Sequence, residues 1–261
     1  MNTALAGKWI LITGASSGFG AATARAFGKE KSRLLLGARR VDRLEAVAAE
    51  SRQAGAAEAE VHSLDVSETA SVETFARWVR SKTDRLDVLI NNAGGAQGMD
   101  PVASGKDEDW ETMLQTNVLG VLRMTRAMLP LLTSNPGSYI LNIGSVAGHT
   151  AYENGAAYCA AKAGELQITR ALRLELCGTG VRVGTIDPGI AETEFSLVRF
   201  KGDAARASKV YAGTVPLRAD DVAEALVWAA SRPSHVCIDE MIIKCTDQAE
   251  VYRVHRRTGS G

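Results

Sequence analysis

The chain has 261 residues, 46% hydrophobic and 23% charged, and this length and composition predict one α/β domain spanning residues 1–261. Its 30 basic and 30 acidic residues balance to a net charge of zero, which argues against a nucleic-acid-binding protein because phosphate contacts need a basic surface. No stretch approaches the ~18 apolar residues of a membrane span, so no membrane contact is expected.

The four cysteines, Cys159, Cys177, Cys237 and Cys245, have neither CxxC spacing nor the density of a secreted disulfide scaffold. They are interpreted as reduced thiols of a cytoplasmic protein, and they imply no metal site. The opening MNTALAGKW lacks the charged head and apolar segment of a targeting signal. The final TGSG is left out of the fold prediction.

The first predicted strand, residues 9–13 (WILIT), ends at a glycine-rich turn before the helical stretch AATARAFGKE. The turn contains Gly14, Gly18 and Gly20 in a GxxxGxG spacing. Strand, glycine turn and helix in this order favour dinucleotide binding, because the backbone can approach a pyrophosphate at a helix N-terminus. A simple tight turn remains the alternative at this point.

The second predicted strand, residues 33–38 (RLLLGA), ends at Ala38 and is followed by Arg39 and Arg40. In NAD-binding folds a carboxylate usually stands here to bond the ribose hydroxyls. Two guanidiniums without an acid favour the 2′-phosphate of NADP instead, and Arg39 is the preferred contact. The alternative is two solvated arginines at the start of the next helix.

The next two predicted strands also end in polar residues. Residues 59–64 lead to Asp65 and Val66, which are candidates for an adenine amino group and ring face. Residues 87–90 lead to the sequence Asn-Asn-Ala-Gly at 91–94, which either caps a turn or borders a cofactor.

A long helical pattern from residue 107 to 133 places Asn117 among apolar residues. A buried amide is costly unless it has hydrogen-bond partners. Its partner is expected to be either a main-chain kink or an ordered water leading towards Lys162.

The stretch from Ser145 to Lys162 follows a predicted fifth strand, YILNIG, and carries the strongest chemical signal. Tyr158 and Lys162 are four residues apart and therefore share one face of a helix. An ammonium close to a phenol favours the phenolate, which suits acid/base catalysis near neutral pH. The serine hydroxyl is placed to bond the same reacting oxygen, although a solvated Tyr–Lys pair is the alternative reading of the spacing alone.

A sixth predicted strand, residues 181–186, precedes Asp187-Pro188-Gly189 and a loop-plus-helix region from 190 to 215 that is interpreted as the substrate loop. This region contains Arg199, Lys201, Arg206 and Lys209, of which at most one is expected to face the site. A helix at 220–231, a seventh strand at 240–244 and a polar tail at 246–261 follow. Strands alternating with helices predict a doubly wound, seven-stranded parallel sheet with helices on both faces.

TGASSGFG, NNAG, Asn117, Ser145, Tyr-x-x-x-Lys and PG occur in the order and spacing of the short-chain dehydrogenase/reductase family, which the chain resembles over residues 7–250. The resemblance implies a Rossmann fold, usually a homotetramer, and a catalytic tetrad of Asn117, Ser145, Tyr158 and Lys162. It also implies NADP contacts from the tyrosine and lysine and from Gly14, Ser16, Gly18, Phe19, Gly20, Arg39, Arg40, Asp65, Val66, Asn91, Ala93, Gly94, Pro188, Gly189 and Thr193.

The carboxyl third, from PGIAETEFSLVRFKGD onward, most resembles NADP-dependent 3-hydroxy acid dehydrogenases that oxidise serine and allo-threonine, with sulfoacetaldehyde reductases as relatives. This resemblance implies a small anionic substrate bound by Ser145 and Arg199. Glu153 would oppose an anion if it faced inward. A reductase of neutral carbonyl compounds and a non-catalytic NADP-binding sensor are the alternative functions.

Overall fold

The protein is described by a computed structural model that covers residues 3–257. The final TGSG lies outside this part, as do the first two residues. Nine strands are present in the described chain: β1 (Trp9–Thr13), β2 (Arg33–Ala38), β3 (Glu58–Ser63), β4 (Val88–Asn91), β5 (Tyr139–Ile143), β6 (Arg182–Pro188), β7 (Ala191–Glu192), β8 (Leu217–Arg218) and β9 (Glu240–Ile243). The α-helices of the same residues are α1 (Gly18–Lys29), α2 (Val41–Ala54), α3 (Thr69–Lys82), α4 (Asp107–Leu114), α5 (Gly120–Thr133), α6 (Ala156–Glu175), α7 (Phe195–Arg199), α8 (Ala204–Lys209) and α9 (Ala219–Ala230).

The predicted seven-stranded parallel sheet is confirmed, with the strand order β3-β2-β1-β4-β5-β6-β9. Its central strands are short and apolar, and every residue of β1, β4 and β5 is buried. Continuous burial is expected when helices cover both faces of a parallel sheet. The order reverses between β1 and β4, which opens a crevice at the carboxyl edge where ligands of such folds bind.

Two apolar layers enclose the sheet. One contains Phe27 of α1, Leu44 of α2 and Leu226 of α9. The other contains Phe75 of α3 and Met128 of α5 together with residues of α6. The doubly wound arrangement is therefore confirmed, and the carboxyl edge of the sheet is the end that carries the polar residues singled out above.

The structure differs from the prediction in several bounds. The third strand begins one residue earlier than predicted, and the sixth continues through Pro188. A short two-stranded sheet, formed by β7 at the start of the region 190–215 and by β8 just after its end, was not predicted. Two-residue strands are too short to leave a period-2 pattern in the sequence.

The long pattern at 107–133 is not one continuous α-helix. One turn of π-helix, Gln115–Leu119, separates α4 from α5 and contains Asn117. Single π-turns inside helices are often found at functional sites. Among the described residues, no helix is long and apolar enough to cross a membrane.

Candidate active site

The glycine turn after β1 is packed against the end of β4. Gly14 has a φ of +66°, and a Cβ there would lie 2.8 Å from the Cα of Ala93. A side chain at this position would therefore be strained in conformation and would collide with backbone. Phe19 packs against the core, whereas Gly18 lies beside Thr193, whose Cβ would be 3.7 Å from an added Cβ. The turn and the start of the region 190–215 thus border the same space.

Asn92 and Thr13 hold this turn in place; the sequence predicted that the asparagines either cap a turn or border a cofactor, and it assigned Thr13 no role. The Asn92 side chain donates to the main-chain oxygens of Thr13 at 2.8 Å and Gly14 at 3.2 Å. The Thr13 hydroxyl accepts from the amides of Asn92 and Ala93 at 3.0 and 2.9 Å. The NNAG sequence was a usable signal, because strand-end asparagines commonly bond nearby backbone.

The two arginines after β2 have different surroundings. Arg39 is the more open, and its guanidinium lies 4.0 Å from Asp65. Arg40 donates to the hydroxyls of Ser16, at 3.2 and 3.3 Å, and Ser17, at 2.7 Å. Arg40 therefore borders the glycine turn, and Arg39 is the residue before it in the chain; guanidinium donors of this kind suit an anion at the outer edge of the turn.

Glu194 joins these cations to the substrate loop. Its carboxylate lies 3.4 Å from Arg40 and accepts from Arg43 at 2.9 and 3.1 Å. Arg43 was not among the predicted contacts, although RRxxR spacing places it one helical turn beyond Arg40.

Three predicted cofactor residues have their side chains engaged elsewhere. Asn91 is buried and donates to Thr125 and Asn142, so its side chain belongs to the core of the sheet. Val66 is buried in the layer formed by α3 and α5. Asp65 accepts from the amide and hydroxyl of Ser67 at 3.0 and 2.6 Å, which fixes the chain after β3.

Asn117 in the π-turn is buried and connects α5 to the loop after β4. Its amide donates to the main-chain oxygens of Gly95 and Met113 at 2.9 and 2.8 Å, and its oxygen accepts from the Gly95 amide at 3.1 Å. The main-chain partner is thus the one observed. A Cβ at Gly94 would lie 2.5 Å from the Asn117 oxygen, which explains a glycine at this position.

Ser145 and Tyr158 face the open edge of the sheet between β5 and α6. The Ser145 hydroxyl accepts from the Ala147 amide at 3.1 Å, which leaves its own hydrogen available. The Tyr158 ring is almost buried against Phe195, at 5.6 Å between ring centres, and its hydroxyl has no hydrogen-bond partner within residues 3–257. Both hydroxyls therefore have hydrogen-bonding capacity that the described residues do not use.

Lys162 is buried on the same side of α6. Its ammonium donates to the Ile143 oxygen and to the Glu165 carboxylate, both at 2.7 Å. Burial by itself would lower the pKa of Lys162, but the negative charge of Glu165, together with the Tyr158 phenol and Asp187, outweighs burial, and the pKa is raised. Phenol and ammonium are therefore within electrostatic reach of each other.

Arg199 lies over the ring of Tyr158, with 5.6 Å from the guanidinium carbon to the ring centre. It donates to the Gly98 oxygen at 3.0 Å and to the Tyr152 hydroxyl at 2.9 Å. Lys201 instead pairs with Asp109, while Arg206 and Lys209 are exposed. Only one of the four basic residues predicted in this region reaches the site, and Glu153 is exposed.

The last segment of the chain contacts both ends of the region 190–215. Gln248 accepts from the Ile190 amide at 2.7 Å, and a Cβ at Gly189 would lie 2.1 Å from the same glutamine oxygen. Asp247 accepts from the Val215 amide at 2.9 Å. The tail therefore holds both ends of the substrate loop, a contact that no local spacing in the sequence indicates.

The sequence profile of the short chain dehydrogenase family matches residues 8–202. An NADP-dependent 3-hydroxy acid dehydrogenase of Schizosaccharomyces pombe is 41% identical over 254 residues, covering 97% of this chain and 98% of that protein. Sulfoacetaldehyde reductase 2 of Chromohalobacter salexigens is 42% identical, covering 92% of this chain and 95% of that protein.

A solved structure, the closed form of serine dehydrogenase complexed with NADP+, is 39% identical. It superposes with a TM-score of 0.88, covering 95% of this chain and 100% of that one. These proteins are similar to the chain over nearly its full length, and the similar part includes both the glycine turn and the Tyr158–Lys162 pair. The chain belongs to the short-chain dehydrogenase family.

Proposed function

We propose that this chain is an NADP-dependent oxidoreductase that interconverts a small anionic 3-hydroxy acid, of the serine, allo-threonine or 3-hydroxypropionate type, and its carbonyl form by hydride transfer. The observation that carries the substrate class is Arg199. The residue is 9% exposed, and its guanidinium lies over Tyr158 and has no carboxylate partner among the described residues. A buried cation without a counter-ion is costly, and a substrate carboxylate would supply that charge.

The residues at the glycine turn fit NADP. Gly14 lets the turn pack directly on the backbone of Ala93, and the turn leads into the N-terminus of α1, where a pyrophosphate would be bound. Arg39 and Arg40 offer guanidinium donors at its outer edge, where the 2′-phosphate would lie. When bound, NADP supplies the hydride acceptor or donor of the reaction.

The residues of the chain then perform the proton chemistry. We assign Tyr158 as the acid/base that exchanges a proton with the substrate oxygen, and Ser145 as the donor that polarises that oxygen. Lys162 uses two of its three N–H donors within the protein, which leaves one for the ribose hydroxyls. Asn117 spends both amide hydrogens on main-chain oxygens, so any water that it positions would be held through its oxygen or the π-turn.

Replacing Arg199 tests the substrate class. Arg199→Ala is expected to raise KM for 3-hydroxy acids roughly 10- to 100-fold, because charged hydrogen bonds to the carboxylate are lost. KM for matched neutral alcohols should change little. Lys209→Ala, an exposed cation of the same region, is the matched control and should resemble the wild type. Equal effects of Arg199→Ala on acids and neutral alcohols would contradict the carboxylate contact.

A substrate panel separates the alternatives. A sulfonate presents oxygens that Arg199 can bind as it binds a carboxylate, and one relative is named as a sulfoacetaldehyde reductase. Serine, 3-hydroxypropionate, a hydroxysulfonate and neutral alcohols of equal length are therefore compared by following reduced nicotinamide. Preference for the neutral compounds would favour a general carbonyl reductase.

We also propose a cytoplasmic homotetramer of single-domain subunits. Edge strand β9 and helix α9 expose Ile242 and Trp228, and α4 and α5 expose Leu114 and Leu122. Two separate apolar surfaces are what a tetramer with two kinds of interface requires. The four cysteines are unpaired, as suits a reducing compartment. Light scattering should give about four times the 27.7 kDa chain mass; a monomer would contradict the assembly.

A further inference from the structure

A second buried charge stands next to the catalytic lysine. Glu165 is 2% exposed and lies three residues after Lys162 on α6, with 2.7 Å between its carboxylate and the ammonium. Its other oxygen, Oε1, is buried and has no hydrogen-bond partner within residues 3–257. A buried carboxylate with an unsatisfied oxygen is costly, so this position calls for an explanation.

Helix geometry places Glu165 on the same face of α6 as Tyr158 and Lys162. Tyr158, Lys162 and Glu165 follow an i, i+4, i+7 spacing and occupy one stripe of α6. The Glu165 main-chain oxygen also accepts from Thr169, whose hydroxyl accepts from Asn142 of β5. The stripe is therefore anchored to the sheet, and the carboxylate reaches Tyr158 only through Lys162.

We propose that Glu165 is a positioning residue: it holds Lys162 between α6 and β5 and sets the pH at which Tyr158 exchanges its proton with the substrate. The proposal rests on the proposed dehydrogenase function for its kinetic consequence. The Ile143 oxygen and the Glu165 carboxylate fix two of the three ammonium N–H donors. The remaining donor is thereby directed towards the cofactor ribose and the phenol.

The charges around Glu165 determine the sign of its effect. Its own helix supplies Lys162 and Tyr158, and β6 supplies Asp187, which is bonded to Thr185 at 2.5 Å. His149, after β5, lies 2.5 Å from the other oxygen of Asp187. Burial raises the pKa of Glu165 to about 7, against the opposing effect of Lys162. Its charge therefore changes around neutral pH.

Removing this negative charge should make both neighbouring groups more acidic. Without it, the Lys162 ammonium stabilises the phenolate more strongly, and burial favours loss of the lysine proton at lower pH. Both limbs of the pH profile of kcat/KM for alcohol oxidation are thus expected to move to lower pH in Glu165→Gln, by about one unit. Glu165→Asp, which keeps the charge, should return the limbs towards the wild type.

The matched control is Glu175→Gln, which removes a carboxylate from an exposed position of the same helix and should leave both limbs in place. A merely structural role for Glu165 would lower the rate at all pH values without moving the limbs. Limbs of Glu165→Gln within about 0.3 unit of the wild type would therefore overturn the proposal. Absence of turnover in the wild type and in Glu175→Gln would instead contradict the proposed function.

Infrared titration of the cofactor-free wild type provides a test that needs neither a variant nor activity. With isotope-labelled glutamate, the band of a protonated buried carboxyl should disappear around neutral pH, and the label separates it from Asp187. If no labelled carboxyl remains protonated above about pH 5, the proposal is overturned, because the proton of Glu165 could then not couple to that of Tyr158 near neutral pH. This measurement remains decisive if Glu165→Gln fails to fold.

Discussion

At the scale of single residues, Tyr158 is held by contacts that leave only its hydroxyl to react. Phe195 packs against the ring, and the Arg199 guanidinium lies over it at 5.6 Å. Ring and guanidinium make a cation–π contact, so the same arginine that packs on the phenol would offer donors to the proposed anionic substrate. The acid/base group and the proposed carboxylate site are therefore built from touching side chains.

Removing the Tyr158 hydroxyl tests its role as acid/base. Tyr158→Phe should leave the Kd for NADPH nearly unchanged, because the glycine turn and arginines remain, while kcat falls by about 10²–10⁴-fold. Cofactor fluorescence titration and steady-state kinetics measure the two quantities. Tyr252→Phe alters an exposed tyrosine and should leave both as in the wild type. Turnover retained in Tyr158→Phe would remove the assignment.

At the scale of elements, the substrate loop depends on the tail. Asp247 bonds the Val215 amide, and Arg257 pairs with the same carboxylate at 3.1 Å. Arg256 donates to the main-chain oxygens of Val210 and Ala212. The backbone hydrogen bond from Val215, helped by Arg257, holds the pKa of Asp247 below its usual range. The basic tail thus holds the loop of its own chain.

Loss of the Asp247 carboxylate should make the substrate loop less ordered and leave the glycine turn that would bind the cofactor unchanged. Asp247→Ala is expected to raise KM for the 3-hydroxy acid about tenfold, which corresponds to loss of one charge-assisted hydrogen bond that orders the loop. The Kd for NADPH should change less than KM. Asp220→Asn, at an exposed acid of α9, is the control. An unchanged KM in Asp247→Ala would show that the loop keeps its position without the tail.

At the scale of the whole molecule, buried acids make stability depend on pH. Burial raises the pKa of Glu165 from 4.5 to about 7, and burial also raises the pKa of Asp187, although Thr185 and His149 oppose that shift. A carboxyl with a raised pKa binds its proton more tightly in the folded state than in the unfolded chain. The stability it contributes is therefore present at low pH and is lost as pH rises through the folded pKa.

Urea denaturation at several pH values tests this dependence. Between about pH 4.5 and about pH 7 the wild type should lose unfolding free energy relative to Glu165→Gln, on the order of 2 kcal/mol. Glu175→Gln should run parallel to the wild type over the same interval, because its position is exposed. Parallel curves for wild type and Glu165→Gln would contradict the raised pKa of Glu165.

The sequence by itself determined the features that depend on local spacing. Apolar strand runs and helical periods predicted the seven-stranded sheet, and the glycine turn after β1 predicted a cofactor cradle. The four-residue separation of Tyr158 and Lys162 put them on one face of α6. The same helical rule reaches Glu165 at i+7, but only the fold shows that this face is buried.

The tertiary structure decided which distant residues meet at the edge of the sheet. Tyr158 and Arg199 are 41 positions apart, and Gln248 bonds an amide 58 positions away. The partners of Asn117 depend on a π-turn that helical periodicity does not reveal. Local propensities act over a few residues, whereas these contacts arise only when helices pack on the sheet and bring the strand ends together.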